Sequence, residues 1–321
     1  MEKIKYDNSR RSFITQAGLL ALGSGMPQCL FAEGATKKPG PIIDIHQHIH
    51  YHARTDEQMI AHQLAMGITT TILLPAGRPV NSASTHQGVS NGLQAQVGGN
   101  AESYLFAKEH RKQYRFGVCA VPDASDALYE IEKYLKLGAL LIGELKFGVA
   151  PDSAEMHKIY QMAQHYDVPV LMHWQHGMYN YGFDRFYKIL EQYPRVNFIG
   201  HAQTWWANID KNHSDQSVLY PKGAMVPGGI TDRYLSDYPN MYGDLSAGSG
   251  LNALTRDEDF TRAFFERHQG KLLFGSDCAD VVGRGRECDG AQIIAVVRRL
   301  SASGNIERKL LYENAKKLFK L

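Results

Sequence analysis

The feature that most constrains the fold is a regular alternation of short apolar segments with amphipathic ones, which begins after Pro41. The apolar segments are rich in Val, Ile, Leu and Phe and contain few polar residues before their ends. Continuous runs of this kind are typical of parallel strands that are buried on both faces. We therefore predict eight strands, at 42–48, 69–74, 116–121, 139–147, 168–174, 197–201, 241–246 and 271–277.

Helix signals lie between several of these strands. Apolar residues recur at helical spacing after Ser125 and Ser153, and again in 183–193, 257–268, 292–300 and 306–319. Eight strand–helix units over this length match a (β/α)8 TIM barrel, an α/β fold, in a single domain. A doubly wound open sheet is the alternative, and the lack of a glycine-rich nucleotide loop after the first strand weakens it.

Residues 1–32 differ in composition from the rest of the chain. Arg10 and Arg11 precede a modest apolar stretch that several glycines interrupt, which resembles a twin-arginine export signal more than a membrane span. A chance arginine pair in a disordered tail is the alternative. We predict a signal peptide at 1–32, a short linker at 33–40 and the barrel domain at 41–321. We expect a periplasmic or extracellular protein with no membrane anchor after signal removal.

The charge balance argues against nucleic acid as a partner. The chain has 35 Lys or Arg and 33 Asp or Glu. Four of the basic residues and two of the acidic residues lie in residues 1–32. The remainder has no net charge, so it has no general attraction for polyanions. The three cysteines after residue 32 argue against a disulfide framework. We expect a small-molecule substrate, and a homo-oligomer is left open.

Metal-binding residue types occupy the ends of five predicted strands. The first strand ends in Asp44-Ile45-His46-Gln47-His48, where His46 and His48 share a face about 7 Å apart. Polar strand ends are costly when unpaired, and the carboxyl ends of barrel strands converge on one mouth. We therefore predict a shared metal site at that mouth, formed by His46, His48, Glu144, His173, His201 and Asp277.

These motifs resemble the amidohydrolase superfamily, and most of all its amidohydrolase-related (amidohydrolase 2) branch, which includes decarboxylases, hydratases and lactonases. The similarity lies in 44–48, 170–173, 198–202, 274–277 and the closing 313–319, so it covers roughly residues 41–321. It implies that one divalent metal, zinc or alternatively manganese, is held by His46, His48, His173 and Asp277. It also implies that Asp277 acts as general base on a metal-activated water and that His201 polarises the substrate.

The role of Glu144 stays open at the level of sequence. In some relatives an acid or modified lysine on strand four bridges two metals, and Ile142-Gly143-Glu144 resembles the version with a glutamate. Glu144 and His201 would then complete a second metal position. The alternative is an ion pair between Glu144 and Lys146, which share a strand face. We expect one essential ion and leave a second open.

Residues near the strand ends are candidates for substrate binding. Arg78 would clamp a carboxylate if it is not a solvated loop charge, and Trp174 and His176 follow a predicted ligand. Asp244 and Ser246 end strand seven and would either fix substrate hydroxyls or orient a ligand histidine. Two further aromatic residues, Trp205 and Trp206, would bind a ring or seal the barrel by packing.

The resulting functional hypothesis is a metal-dependent hydrolase that acts on a C–O or C–N bond of a lactone, ester or amide. The alternative is a non-oxidative decarboxylase or hydratase with the same metal site. A binding protein on a retained barrel is disfavoured by the intact ligand set. A nuclease is disfavoured by the neutral charge of residues 33–321.

Overall fold

Buried strands alternate with helices through residues 40–76 and 97–321, the part of the chain that the computed structural model describes. The strands are β1 (Ile43–Gln47), β2 (Thr70–Leu73), β3 (Tyr114–Phe116), β4 (Ile142–Leu145), β5 (Val170–His173), β6 (Phe198–His201), β7 (Met241–Asp244) and β8 (Leu272–Leu273). The helices are α1 (Asp56–Met66), α2 (Asn100–Glu109), α3 (Ala127–Lys136), α4 (Ala154–Tyr166), α5 (Tyr187–Gln192), α6 (Gln203–Ala207), α7 (Ile230–Asp237), α8 (Ala247–Thr255), α9 (Glu258–His268), α10 (Asp289–Leu300), α11 (Gly304–Arg308) and α12 (Asn314–Leu318).

All paired strands run parallel, in the orders β1-β2-β3 and β4-β5-β6-β7-β8. Backbone hydrogen bonds also join the two groups of strands. Val118, just after β3, forms a parallel bridge with Ile142 of β4. The amide of Ile45 in β1 donates to the carbonyl of Phe274 after β8, at 3.1 Å. The prediction of an α/β TIM barrel is confirmed.

The third strand lies earlier in the chain than predicted. The Gly117 amide donates to Leu73 of β2, whereas the next amide, of Val118, donates to Leu141 beside β4. Amides of consecutive residues in a strand point to opposite neighbours, so these two bonds place the chain between β2 and β4. The strand ends at Phe116, followed by the isolated bridge between Val118 and Ile142, so the predicted strand end at 121 is wrong.

Alternate strand residues form an inward-facing apolar cluster that ends at polar side chains. Leu171 and Ile199 are fully buried in this cluster. Two residues further along, the same faces of β5 and β6 carry His173 and His201, which are register partners. The inward faces of the strands therefore position the predicted ligands.

Several predictions concern residues outside the described part of the chain. These are the signal peptide at 1–32, the linker up to residue 39 and the substrate role of Arg78, which lies between the two described ranges. They stay predictions. No helix in the described ranges is long and apolar enough to cross a membrane.

Candidate metal centre

The predicted ligands meet where the inward strand faces end. Nε2 of His46 lies 3.2 Å from Nε2 of His48 and 3.3 Å from Oε2 of Glu144. Nε2 of His48 lies 3.3 Å from Oδ1 of Asp277. The Asp277 side chain is 12% exposed, and the three other side chains are at most 2% exposed. A cluster of ring nitrogens and carboxylate oxygens is thus almost completely removed from water.

The second ring nitrogens of His46 and His48 reveal which nitrogen is free to bind. Nδ1 of His48 lies 2.7 Å from the carbonyl oxygen of Leu74, which only accepts, so Nδ1 carries the hydrogen. Nδ1 of His46 lies 2.7 Å from the Asp244 carboxylate and donates to it. Nε2 of each ring then faces the other ring and two carboxylates. Burial acts against the charged form of His46, but the charges of Asp277, Asp244 and Glu144 raise its pKa well above the usual value. The cluster therefore calls for positive charge at this position, which either a proton or a bound metal ion supplies.

Glu144 lies between two groups of candidate ligands. Its Oε2 is 3.3 Å from His46 Nε2 and 3.5 Å from His48 Nε2. Its Oε1 contacts His173 Nδ1 at hydrogen-bond distance and lies 3.7 Å from His201 Nε2. Ligand atoms lie within 4.8 Å of one another in a set of His46, His48 and Asp277 and in a set of Glu144, His173 and His201. The two sets adjoin, since Nε2 of His201 also lies 3.5 Å from Oδ2 of Asp277.

The donor chemistry of the centre fits a divalent metal. Oδ1 of Asp277 is buried and has no hydrogen-bond donor among the residues that the structure describes. An orphaned carboxylate oxygen that faces imidazole nitrogens is the environment that a metal ion completes. Imidazole and carboxylate together suit zinc and manganese among the common ions.

The ionised state of the carboxylates depends on the histidines. Burial would raise the pKa of the Glu144 carboxyl, but His173 and His46 hold that pKa well below its usual range. Burial also opposes ionisation of Asp277, yet His46 and His201 keep its pKa well below the usual value. Both groups are therefore carboxylates at neutral pH, as metal binding requires.

Lys146 does not compete for Glu144 in the structure. Its Nζ lies 5.5 Å from the centroid of the Tyr179 ring, whereas the Glu144 carboxylate faces the histidines. Burial and Lys146 together lower the pKa of His173 to about 4, against the effect of Glu144. His173 is therefore neutral, which is the form that binds metals. The structure favours a ligand role for Glu144 over the ion pair with Lys146.

Asp244 and Ser246 lie behind the rings of His46 and His201. Both are fully buried. Oδ2 of Asp244 lies 3.2 Å from Nδ1 of His201 as well as beside His46. The Ser246 hydroxyl donates to that carboxylate at 2.8 Å and lies 3.1 Å from His201 Nδ1. Of the two roles expected from sequence, these contacts fit the orientation of ligand histidines, and contact with a substrate stays a prediction.

The tryptophans pack inside the molecule. Trp174 is fully buried and stacks on Trp205, with ring centroids 6.0 Å apart. Trp206 is buried too, and its Nε1 donates to the Asp244 carbonyl at 3.0 Å. Trp174 also lines a cavity of about 590 Å³, together with the exposed His176. These two residues therefore face a common space next to the His173 strand end.

Sequence reasoning missed residues that hold the ligands from behind. Oδ1 of Asp44 accepts from the amides of His46 and Ser276, at 3.0 and 2.9 Å, and so ties β1 to the end of β8. Arg54 is buried and donates to the carbonyl of Cys278 at 2.9 Å. An arginine that follows a strand gives no sequence signal for burial, whereas the Asp44-x-His46 spacing could have indicated the turn.

The Tyr51 ring was also missed, and it borders the centre. It meets the His48 ring edge-on, with centroids 4.9 Å apart. The Asp277 charge, together with burial, raises the pKa of the Tyr51 hydroxyl far above its usual value. Tyr51 therefore stays a neutral hydrogen-bonding group beside Asp277.

No protein-family model and no curated protein matches this chain. Solved structures do match it. An uncharacterized TIM-barrel protein from Bordetella bronchiseptica is 15% identical, with a TM-score of 0.60 over 87% of this chain and 98% of the other. A dihydroxybenzoic acid decarboxylase from Polaromonas sp., with bound manganese and 2-nitroresorcinol, is 15% identical, with a TM-score of 0.55 over 88% and 98%.

A third similar structure has a hydrolase name. It is described as a probable 2-pyrone-4,6-dicarboxylic acid hydrolase from Acinetobacter baumannii and is 13% identical, with a TM-score of 0.55 over 87% of this chain and 99% of the other. Other structures of the same fold include an amidohydrolase II and further decarboxylases. At these identities the comparisons establish the barrel fold. The class that fold and site define is a barrel protein with a candidate divalent-metal centre.

Proposed function

We propose that this protein is a metal-dependent hydrolase of the amidohydrolase type that uses a two-ion centre on a C–O or C–N bond of a small molecule. The observation that carries the proposal is the position of Glu144. One of its oxygens faces His46 and His48, and the other faces His173 and His201. A carboxylate that serves two ligand groups is suited to two ions side by side.

The residues have separate roles in this proposal. His46, His48 and Asp277 would hold one ion, and Glu144, His173 and His201 would hold the other. When bound, such ions would supply a Lewis acid for the substrate oxygen and lower the pKa of water towards about 7. Asp277 would act as the general base for the attacking water, since its Oδ1 has no donor of its own among the described residues. His201 is then a ligand, which replaces the role in substrate polarisation expected from sequence.

The hydrogen bonds of the buried Arg54 favour hydrolysis over decarboxylation. An arginine free to bind a substrate carboxylate beside the metals would favour a decarboxylase, and Arg54 is the buried arginine among the residues that the structure describes. Its Nη1 donates to the carbonyls of Cys278 and Asp280, at 2.9 Å each. Its Nη2 donates to Gln47 Oε1 at 2.7 Å. Arg54 is therefore occupied by the protein itself.

Decarboxylation is the second candidate function. It is supported by similar folds with decarboxylase names, one of them with bound manganese. Arg78 would then be the residue that holds the substrate carboxylate.

The test is an assay of one preparation against two substrate panels. Lactones, esters and amides are followed by acid release, and aromatic carboxylates by carbon dioxide release. We expect acid release that stops on chelation and returns with Zn²⁺ or Mn²⁺. His173→Gln should lower kcat by about 10²-fold or more, since it removes a ligand. Carbon dioxide release would replace the hydrolase proposal with the lyase.

A matched histidine controls for general damage in this test. His157 is partly buried and binds the Tyr193 hydroxyl at 2.8 Å, away from the centre. His157→Gln should retain full activity. Full activity of the metal-free protein would contradict metal-dependent catalysis of either kind.

We also propose that the mature enzyme is exported. The support is the paired arginines before an apolar stretch in residues 1–32. Replacement of Arg10 and Arg11 by lysine should leave the full-length chain in the cytoplasm, as fractionation and blotting would detect. Unchanged export would contradict the twin-arginine route.

A further inference from the structure

A second cluster of metal-binding side chains lies apart from the centre described above. It contains His62 of α1, Cys278 and Asp280 from the segment after β8, and Cys288, the residue before α10. One ligand atom from each of the four lies within 4.8 Å of all the others. We propose that these four side chains bind a zinc-type divalent ion at a structural site that is separate from the catalytic centre.

Three of the six distances within the cluster are close to the edges of a tetrahedral coordination shell. The sulfurs of Cys278 and Cys288 are 3.7 Å apart. Sγ of Cys288 lies 3.4 Å from Nε2 of His62, which lies 3.7 Å from Oδ2 of Asp280. Ligand bonds of about 2.3 Å to sulfur and about 2.0 Å to nitrogen or oxygen give tetrahedral edges of about 3.3 to 3.8 Å.

The composition and burial of the cluster also suit zinc. A ligand set of two thiols, an imidazole and a carboxylate binds zinc in preference to calcium or magnesium. His62 and Cys288 are fully buried, and the Asp280 side chain is only 10% exposed. Four protein ligands leave no open position, which is characteristic of structural sites.

Neighbouring groups hold these ligands in place. The Ala291 amide donates to Sγ of Cys288 at 3.3 Å, a contact that stabilises a thiolate. Arg54 donates to the carbonyls of both Cys278 and Asp280 and so fixes the segment that carries them. Outer contacts of this kind orient the ligands of protein metal sites.

A disulfide is the competing interpretation of the two cysteines. The sulfur separation of 3.7 Å exceeds the bond length of about 2.05 Å, and both cysteines are free in the structure. A disulfide would also leave unexplained why His62 contacts both Cys288 and Asp280. An ion shared by all four side chains accounts for the whole cluster.

An ion at this site would attach the segment that follows Asp277 to helix α1. Cys278 is the next residue after Asp277, so the site would support the catalytic centre from behind without belonging to it. The inference does not depend on the proposed hydrolase activity. The four side chains would bind this ion whatever reaction the protein catalyses.

Cobalt substitution tests the proposal, because thiolate ligands give Co²⁺ a charge-transfer band in the near ultraviolet that histidine and carboxylate ligands do not. The full chain is stripped of metal, loaded with Co²⁺ and examined by absorption and elemental analysis. We expect the band in the unmodified protein and its loss in Cys288→Ser, with one fewer ion per chain. Cys119→Ser is the matched control, since Cys119 is a buried free cysteine outside the cluster, and it should keep the band.

A second variant keeps the test decisive if Cys288→Ser does not fold. Asp280→Asn changes the least buried ligand and retains an oxygen for its backbone contacts. It should weaken the Co²⁺ affinity of the thiolate site by about tenfold or more. Absence of the band in the unmodified protein, an unchanged affinity in Asp280→Asn, or a Cys278–Cys288 disulfide found by mass spectrometry would overturn the proposal.

Discussion

Asp244 shows how one residue sets the chemistry of several others. Its carboxylate lies beside Nδ1 of both His46 and His201, and it accepts from the Ser246 hydroxyl. Burial opposes its ionisation, but His46 and a hydrogen bond with His201 lower its pKa to about 2. An ionised Asp244 therefore keeps the hydrogen on Nδ1 of each ring and leaves Nε2 free for the metal.

Replacement of Asp244 should weaken metal binding without removing a ligand. In Asp244→Asn the amide no longer accepts from both rings as a carboxylate does, so the rings lose their fixed tautomer. Metal affinity should fall by about 10- to 100-fold, as titration of the metal-free protein would measure. Asp259→Asn, at a fully exposed carboxylate of α9, should have no effect. Equal affinities in Asp244→Asn and the unmodified protein would refute this role.

Gly275 is required by the close approach of the side chains around the centre. A Cβ at this position would lie 2.5 Å from Oδ1 of Asp244 and 2.8 Å from the Cβ of His46. Gly275→Ala should therefore displace both and destabilise the protein by about 1–3 kcal/mol, with loss of bound metal. Gly270→Ala has open space for its Cβ and is the control. Urea unfolding and metal analysis would check both variants, and a fully metallated Gly275→Ala would contradict the packing argument.

At the scale of elements, continuously apolar strands were the predictable part of the fold. Val170–His173 and Phe198–His201 were found within one or two residues of their predicted ranges because both faces of each strand are buried. Helices α1 and α2 were not predicted, since they have few apolar residues at helical spacing. Helix α6, which has only five residues and follows β6 directly, was not predicted either. Such short helices depend on tertiary packing, which sequence periodicity does not report.

The sequence predicted which residues form the candidate site but not how they are grouped. His173, His201 and Asp277 could be identified because each is a polar residue at the end of an apolar strand, where an unpaired polar group would be costly. The grouping of His173 with Glu144 and His201 instead of His46 depends on distances across the barrel, which spacing along the chain does not contain. The burial of Arg54 likewise depends on carbonyls more than 200 residues away in sequence.

Two outer helices are joined by an ionic contact that makes stability depend on pH. Asp232 of α7 binds His268 of α9 at 2.6 Å and Arg267 at 3.2 Å. Burial acts against ionisation of Asp232, but the hydrogen bond from His268, the Gly228 amide and Arg267 lower its pKa below the usual value. The folded state therefore favours the carboxylate more than the unfolded state does.

This contact should stabilise the protein only where Asp232 is ionised. A depressed pKa contributes stability that is present above the unfolded value of about 3.9 and is lost as pH falls through the folded value. Asp232→Asn should remove about 1–3 kcal/mol at neutral pH and less at pH values below the folded pKa. Denaturant unfolding at several pH values would show this convergence. A destabilisation that is the same at every pH would contradict the electrostatic explanation.

For the whole molecule, the centre is a concentration of buried charge in a chain with little net charge. Three carboxylates, those of Glu144, Asp244 and Asp277, lie among four histidines at the barrel mouth. An ion bound there stabilises the folded state by mass action, by about 4 kcal/mol at a thousand times Kd. Chelation should therefore lower the melting temperature by several degrees. The decrease should persist in Cys288→Ser, and identical melting curves with and without chelator would contradict a buried metal centre.

The most direct test of the central claim is anomalous X-ray scattering from crystals of the protein grown with Zn²⁺ or Mn²⁺, with data collected at the absorption edge of that metal. We predict one peak about 2.0–2.2 Å from Nε2 of His46 and Nε2 of His48, and a second beside His173 and His201 on the other side of Glu144. The first peak without the second would indicate a centre with a single ion. Density maps with no peak within bonding distance of His46 and His48 would contradict the account.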